Sequence, residues 1–240
     1  MMPHAMHTAS TLRTLLVAAA LACASHLATA ASPASGVTLT EGVEYARLPE
    51  PEPSAAAKKI EVLEVFSYGC VHCFHLEEAL RGWKARLPAD VELHYLPATF
   101  RPEFTLYARG FYAAQALGQL EATHARVFDA IWNGHAQVRS LADLASVYAG
   151  LGIDRARFIE AAQSADNRAA VDAAHEQVVR LQVDGTPTFV VAGRYRVLGD
   201  LIDGSEDLLR RVDAVIAMAR AERRGGPAAA ADRGKRGAAD

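Results

Sequence analysis

VLEVFSYGCVHC, from Val62 to Cys73, carries the chain out of an apolar strand and into a helix through two cysteines spaced C-x-x-C. Residues 59–66 (KIEVLEVF) are β-branched or apolar on both faces, the pattern of a central strand covered on both sides. From Cys70 the period changes. Phe74, Leu76, Leu80, Trp83 and Leu87 recur at helical spacing up to Pro88. The dithiol thus falls at a helix N-terminus, where unpaired backbone N–H groups and the helix dipole favour an anion. Cys70, at the first exposed position, is expected to be a thiolate near neutral pH. A thiolate is the species that attacks a disulfide and leaves from one. Cys73, one turn later and more buried, suits the resolving role. His72 can donate to the Cys70 sulfur or sit beside its charge, and a stabilised thiolate makes the disulfide more oxidising. Its plain alternative is an exposed helical residue with no special role.

Outward from this stretch, Val91–Leu96 alternates as a second strand, and 102–182 is almost wholly helical in pattern, broken at Gly118, Gly134, Gly150–Gly152 and Ser164. Asp154 is placed as a helix N-cap. Thr188–Val191 and Arg194–Leu198 flank Ala192-Gly193 as a hairpin, and Ser205 opens an amphipathic helix through Ala221. Glu41–Leu48 reads as an edge strand, followed by a Pro/Glu/Ala spacer over Pro49–Ala57. A β-α-β half and a β-β-α half joined by helices define an α/β protein, a thioredoxin fold with an inserted helical domain. The expected boundaries are a signal peptide at 1–30, the first thioredoxin part at 31–101, the helical insertion at 102–165, the second part at 166–223 and a disordered tail at 224–240.

Charge and composition narrow the function classes. With 51% hydrophobic residues among 240, the chain can build a packed core. A formal charge of −3 and a pI near 6.3, with no dense Lys/Arg stripe before the tail, argue against nucleic acid as a partner. Arg13, the apolar run Leu15–Ala24 and Ala28-Thr29-Ala30 have the order of a secretory signal. That run is far shorter than the ~20 residues a spanning helix needs. Cys23 is a weaker candidate for a lipid anchor, because Ala20 stands where a lipoprotein signal prefers Leu. Cleavage after Ala30 removes Arg13 and no acid, taking the charge from −3 to −4, and leaves Cys70 and Cys73 as the remaining cysteines. An exported protein of this size with one pair is no disulfide-stapled scaffold.

Other uses of the pair fit less well. Structural zinc wants four ligands, and His72 with His75 would complete a site only awkwardly. Haem attachment needs His after the second Cys, where Phe74 stands. A structural disulfide here closes too small a loop to stabilise much. No metal and no cofactor is therefore expected.

Two further positions belong with the dithiol. Glu64 lies in an apolar strand on the face of Val62 and Phe66, and a buried carboxylate is costly without a partner or a purpose. Six residues before Cys70, it can lie beneath the helix start and shuttle the Cys73 proton; the alternative is a strand-edge Glu reaching water or an ion pair. Pro187, in Gly185-Thr186-Pro187-Thr188, opens a strand. In a thioredoxin fold the loop before this strand faces the dithiol. A cis proline there would exclude metal and offer Thr186 backbone groups to a substrate.

Together, Val62-Leu63-Glu64, Phe66-Ser67, Cys70-Val71-His72-Cys73 and Gly185-Thr186-Pro187-Thr188-Phe189 resemble the DsbA family of periplasmic disulfide-forming proteins, from about Glu41 to Ala221. The resemblance implies that Cys70 is the nucleophile and Cys73 its buried partner, with Glu64 as the buried acid and Pro187 as the cis proline. The family is itself the usual example of a very acidic cysteine and a strongly oxidising disulfide. Val71 replaces the Pro of the best-known members, and Gly69 replaces an aromatic residue; both alter the lip of the site.

The expected function is a periplasmic oxidase that donates its disulfide to reduced exported proteins through a mixed disulfide. A DsbB-like membrane quinone reductase would reoxidise it. An isomerase or reductase of the same fold is the alternative. Family isomerases carry an N-terminal dimerisation domain, for which 31–58 is too short, so a monomer is expected. A metal-binding or chaperone-like protein is a third reading. Substrate peptides are expected in a groove lined by residues near Thr186 and by the helical insertion.

Overall fold

Strand β2 (Ile60–Phe66) is the axis of the sheet, and its composition explains why. Ile60 and Val62 pack on one face and Leu63 and Val65 on the other, so both faces demand cover. The computed structural model describes residues 37–53, 58–198 and 204–236, with side chains described to residue 225. The proposed signal segment, including Cys23, lies outside the described residues.

Helix α1 (Val71–Ala85) follows β2 and returns the chain to β3 (Val91–Pro97), which pairs with β2 in parallel. Five helices then intervene: α2 (Pro102–Ala116), α3 (Leu120–Trp132), α4 (Leu141–Gly150), α5 (Arg155–Gln163) and α6 (Ala165–Arg180). Strands β4 (Thr188–Val191) and β5 (Tyr195–Val197) form a hairpin, and α7 (Ser205–Arg236) closes the described chain. With β1 (Tyr45–Arg47) the sheet has the order β1-β5-β4-β2-β3, and β4 runs antiparallel to β2. This is the thioredoxin arrangement with helices inserted between β3 and β4, as the sequence pattern implied.

Local chemistry sets the joints. The Asp154 side chain accepts from the Arg157 N–H at 2.8 Å, capping α5 as expected. Ser164 ends α5 and caps α6 by accepting from the Asn167 N–H at 3.0 Å. The β4–β5 turn uses Ala192 and Gly193, both with positive φ, the geometry of a tight hairpin. At Gly193 a side chain would collide with the carbonyl of Glu52, so the turn can lie against that segment only with glycine there.

Two expectations need correction. The edge strand is shorter than Glu41–Leu48, because Gly42, at φ +85°, turns the chain and the Val43 and Glu44 N–H groups bond back to Thr40. Helix α7 runs past Ala221 to Arg236, through most of the segment expected to be a disordered tail. The alanine run at 228–231 has high helix propensity, while Gly225-Gly226-Pro227 just before it works against continuation.

Two apolar layers cover the sheet. On one side α1 and α7 enclose Leu76, Leu80, Trp83, Val212 and Val215 against Val62, Phe189 and Val191. The Trp83 Nε1–H donates to Asp213 at 2.8 Å, tying α1 to α7. On the other side the inserted helices pack Phe104, Phe111, Phe128 and Tyr148 toward Leu63, Val65 and Phe66. Each such side chain, fully buried, contributes roughly 1.5–3 kcal/mol.

Candidate active site

The β2–α1 junction places both cysteines. Ser67, buried, accepts the Cys70 N–H on its carbonyl at 3.0 Å and the Gly69 N–H on its hydroxyl at 3.1 Å. Cys70 is then the N-cap of α1, in extended backbone, and its sulfur accepts from the Cys73 N–H at 3.4 Å. Both thiols are free and buried, so the reduced dithiol is the state described.

The two sulfurs differ in their electrostatics. The Cys70 thiolate is favoured first by the Cys73 thiol, then, against the cost of burial, by Thr186 and the backbone N–H groups of Cys73 and His72. Together they bring its pKa down from 9.0 to about 5. Burial pushes the Cys73 thiol up, reinforced by Cys70 and by the carboxyl of Glu64.

Thr186 and Pro187 face this pair from the loop before β4. The Thr186–Pro187 peptide is cis, and the Cys70 thiol donates to the Thr186 carbonyl at 3.3 Å. Val71 is half-buried just after Cys70, and the His72 side chain is exposed. Among the described residues the His72 ring makes no hydrogen bond; its backbone N–H is what acts on the sulfur. The expected ring-to-sulfur contact is therefore absent from the described contacts, since the first turn of α1 aims this side chain outward.

Glu64 is 3% exposed beneath the dithiol, and its Oε2 has no hydrogen-bond partner. Burial, then the charges of Glu77 and Cys70, push its carboxyl well above the ordinary range. It is no strand-edge residue, because β2 is flanked by β3 and β4.

Sequence reasoning missed Glu77. It lies one turn after Cys73 on α1, and its pKa is pushed up to about 7, chiefly by burial, with Arg81 and Lys84 opposing. The i,i+4 spacing from Cys73 was the available signal. His124 on α3 was missed too: it is 6% exposed, Nδ1 lies 2.9 Å from the Tyr68 hydroxyl, and Nε2 lies 3.7 Å from Glu77 Oε2.

A groove of about 620 Å³ runs beside the dithiol, lined by His72, His75, Thr186, Pro187, Val197 and Leu208 among others. Its described walls come from α1, the 184–188 loop, β5 and α7, and none from the inserted helices, contrary to expectation. The sheet order brings β4, β5 and α7 back onto the α1 side, so these elements border the thiols.

A thioredoxin sheet presenting an asymmetric dithiol to a cis X-Pro loop defines a thiol–disulfide oxidoreductase. The family described as DSBA-like thioredoxin domain matches residues 61–210. The chain belongs to the DsbA family, whose members are thiol–disulfide oxidoreductases. It is 34% identical to the thiol:disulfide interchange protein DsbA of Pseudomonas aeruginosa over 210 residues, covering 88% of this chain and 98% of that one. The DsbA of Azotobacter vinelandii is 32% identical over 211 residues, covering 87% and 99%. Among solved structures, DsbA from Xylella fastidiosa aligns with a TM-score of 0.71 at 34% identity, covering 77% of this chain and 99% of that one. NmDsbA1 from Neisseria meningitidis aligns at 0.66 and 29% identity, covering 78% and 96%.

Proposed function

We propose that the chain is a periplasmic dithiol oxidase that passes the Cys70–Cys73 disulfide to newly exported polypeptides. The observation that carries this reading is the asymmetry at the head of α1: donors converge on the Cys70 sulfur, while Cys73 is enclosed next to Glu64. In the oxidised enzyme a substrate thiolate attacks the Cys70 sulfur, and Cys73 leaves and takes up a proton. A second substrate thiolate then attacks the substrate sulfur of the mixed disulfide. Cys70 departs as a thiolate, the substrate has lost two electrons, and the enzyme holds them as its dithiol. A low leaving-group pKa speeds that departure and poises the disulfide as an oxidant.

Glu64 supplies and receives the Cys73 proton. Glu77 links it to a cleft of about 450 Å³ between α1 and α3, which Glu77 borders with Phe74 and Asp129. Thr186 and Pro187 present backbone to the substrate strand beside Cys70, and Val71 and His72 tune the lip of the site.

The likeness to the DsbA relatives and the signal pattern at 1–30 support a periplasmic site of action. Among the described residues no helix is long and apolar enough to cross a membrane. Reoxidation is assigned to a DsbB-like membrane protein that passes the electrons to quinone, and the enzyme works as a monomer. Domain boundaries at 31–101, 102–165 and 166–223 are proposed on the same basis.

Equilibration with glutathione tests the oxidase reading. The dithiol should persist under conditions where a thioredoxin-like reductase is oxidised, and a disulfide that resists reduction would overturn it. Cys70→Ser should abolish turnover and Cys73→Ser should trap mixed disulfides on Cys70. Trapping through Cys73 instead would reverse the assigned roles.

A further inference from the structure

His124 lies on α3 with its ring enclosed by Phe66, Tyr95 and Phe128, at centroid distances of 5.0, 4.4 and 5.5 Å. Such packing fixes the ring plane. Nδ1 is occupied by the Tyr68 hydroxyl, and Nε2 is buried, has no hydrogen-bond partner and points toward the Glu77 carboxyl. A buried polar atom left unpaired is costly. We propose that His124 is a positioning residue for the dithiol chemistry: Tyr68 holds its Nδ1, and its Nε2–H keeps the Glu77 carboxyl able to ionise beneath Cys73. The inference rests on Cys70 and Cys73 being the working pair.

The Tyr68–Nδ1 contact is compatible with either tautomer, and the Glu77 carboxyl opposite Nε2 favours the one that carries its proton there. Burial holds the His124 imidazole neutral, lowering its pKa to about 3, so it has one donor and one acceptor nitrogen. Burial likewise keeps the Tyr68 phenol protonated. A phenol O–H donating to Nδ1 leaves the proton on Nε2, aimed at Glu77. At 3.7 Å the approach is electrostatic, and an ionised Glu77 would shorten it.

The surroundings of Glu77 show what this donor adds. Glu64 faces it from β2 and Tyr95 from β3; Glu121, His124 and Asp129 face it from α3; Glu78, Arg81 and Lys84 share α1 with it. Cys73 lies one turn before it and Cys70, at the N-cap, about two. Burial and Glu121 disfavour the Glu77 carboxylate, while Arg81 and Lys84 favour it. His124 is the neutral donor on the buried side. Without it, the Glu64–Glu77 pair would hold its proton to higher pH and accept the Cys73 proton less readily.

The test uses the full chain carrying glutathione on Cys70, and follows release by Cys73 from pH 4 to 9. In His124→Leu the limb assigned to Glu77 should move upward by about one unit, slowing release about tenfold on its acid side. In the reduced protein without glutathione, the absorbance titration of the Cys70 thiolate should stay in place. His124→Gln, whose amide can donate toward the same carboxyl, should restore the profile. In a Glu77→Gln background the limb should vanish and His124→Leu should add nothing. Should His124→Leu not fold, Tyr68→Phe removes the donor to Nδ1 and should shift the limb the same way by less. An unchanged or downward shift, or an equal shift without Glu77, overturns the proposal. Loss of the dithiol reading itself would look different: Cys73→Ser would release glutathione as fast as the parent.

Discussion

The Trp132 indole N–H donates to the main-chain carbonyl of Tyr68 at 3.0 Å, while its ring lies within 21° of parallel to Phe74 at 6.1 Å. One side chain of α3 therefore touches the loop entering Cys70 and the helix leaving Cys73. With His124 on the Tyr68 hydroxyl, α3 holds that tyrosine at both its main chain and its tip. The inserted helices support the site from behind instead of lining its groove.

Trp132→Phe keeps an aromatic ring against Phe74 and deletes the donor. Leaving the Tyr68 carbonyl short of its partner should cost about 1–3 kcal/mol. Urea denaturation of the reduced protein measures this, and a midpoint equal to the parent's would show that the bond is dispensable.

The Cys70 titration carries a stability consequence. Its folded pKa is depressed, so the contribution is present above the unfolded value and is lost as pH falls through about 5. At pH 7 a fall from 9.0 to about 5 favours the folded reduced state by roughly 3 kcal/mol. The oxidised protein has no such group. Reduced protein should therefore melt higher than oxidised at pH 7, with the gap narrowing toward pH 4. A gap independent of pH would contradict this, as would a thiolate absorbance at 240 nm with its midpoint near the ordinary cysteine value.

Glu64→Leu replaces a buried carboxyl, one oxygen of which is unpaired, with a side chain of similar size. Stability should rise by about 1–3 kcal/mol, while resolution by Cys73 slows. The pH dependence gives a second check. A carboxyl whose folded pKa is raised binds more protons folded than unfolded, so the parent loses stability as pH climbs above the ordinary carboxyl value. The variant should lack that decline; if it keeps the parent's slope, Glu64 is not its source.

Gly69→Ala probes the lip. A Cβ there would lie 2.7 Å from Tyr107 Cε2 and 3.2 Å from Phe104 Cε1, and both rings are buried. The overpacking should cost about 1–2 kcal/mol, read as a lower denaturation midpoint. This geometry also explains the departure from an aromatic residue at 69, since Phe104 and Tyr107 fill that space. An alanine variant as stable as the parent would mean that Tyr107 swings aside freely.

What the sequence reveals by itself depends on periodicity. The change at Cys70 from an apolar run covered on both faces to period 3.6 placed the dithiol, and an acid within that run placed Glu64 in the interior. Glu77 and His124 were less visible, because a single polar residue on a helix counts for little until its neighbours across space are known. Gly42 shortened the first strand through a local turn that the alternation at Val43, Tyr45 and Arg47 disguised. The groove walls depended on sheet order, which no local pattern encodes.

Cys70 and the Thr186 carbonyl it meets are separated by 116 positions. During synthesis the two thiols therefore emerge long before the strand that pairs with β2 and the loop that faces them. The connection is long-range, and closing such a contact is the kind of step that slows folding. Until β4 docks, Cys70 has the Cys73 thiol and the α1 backbone N–H groups beside it but lacks Thr186, so part of its acidity is still missing. The last contribution to its reactivity thus arrives only with completion of the sheet, so the full acidity of Cys70 waits until the chain is whole.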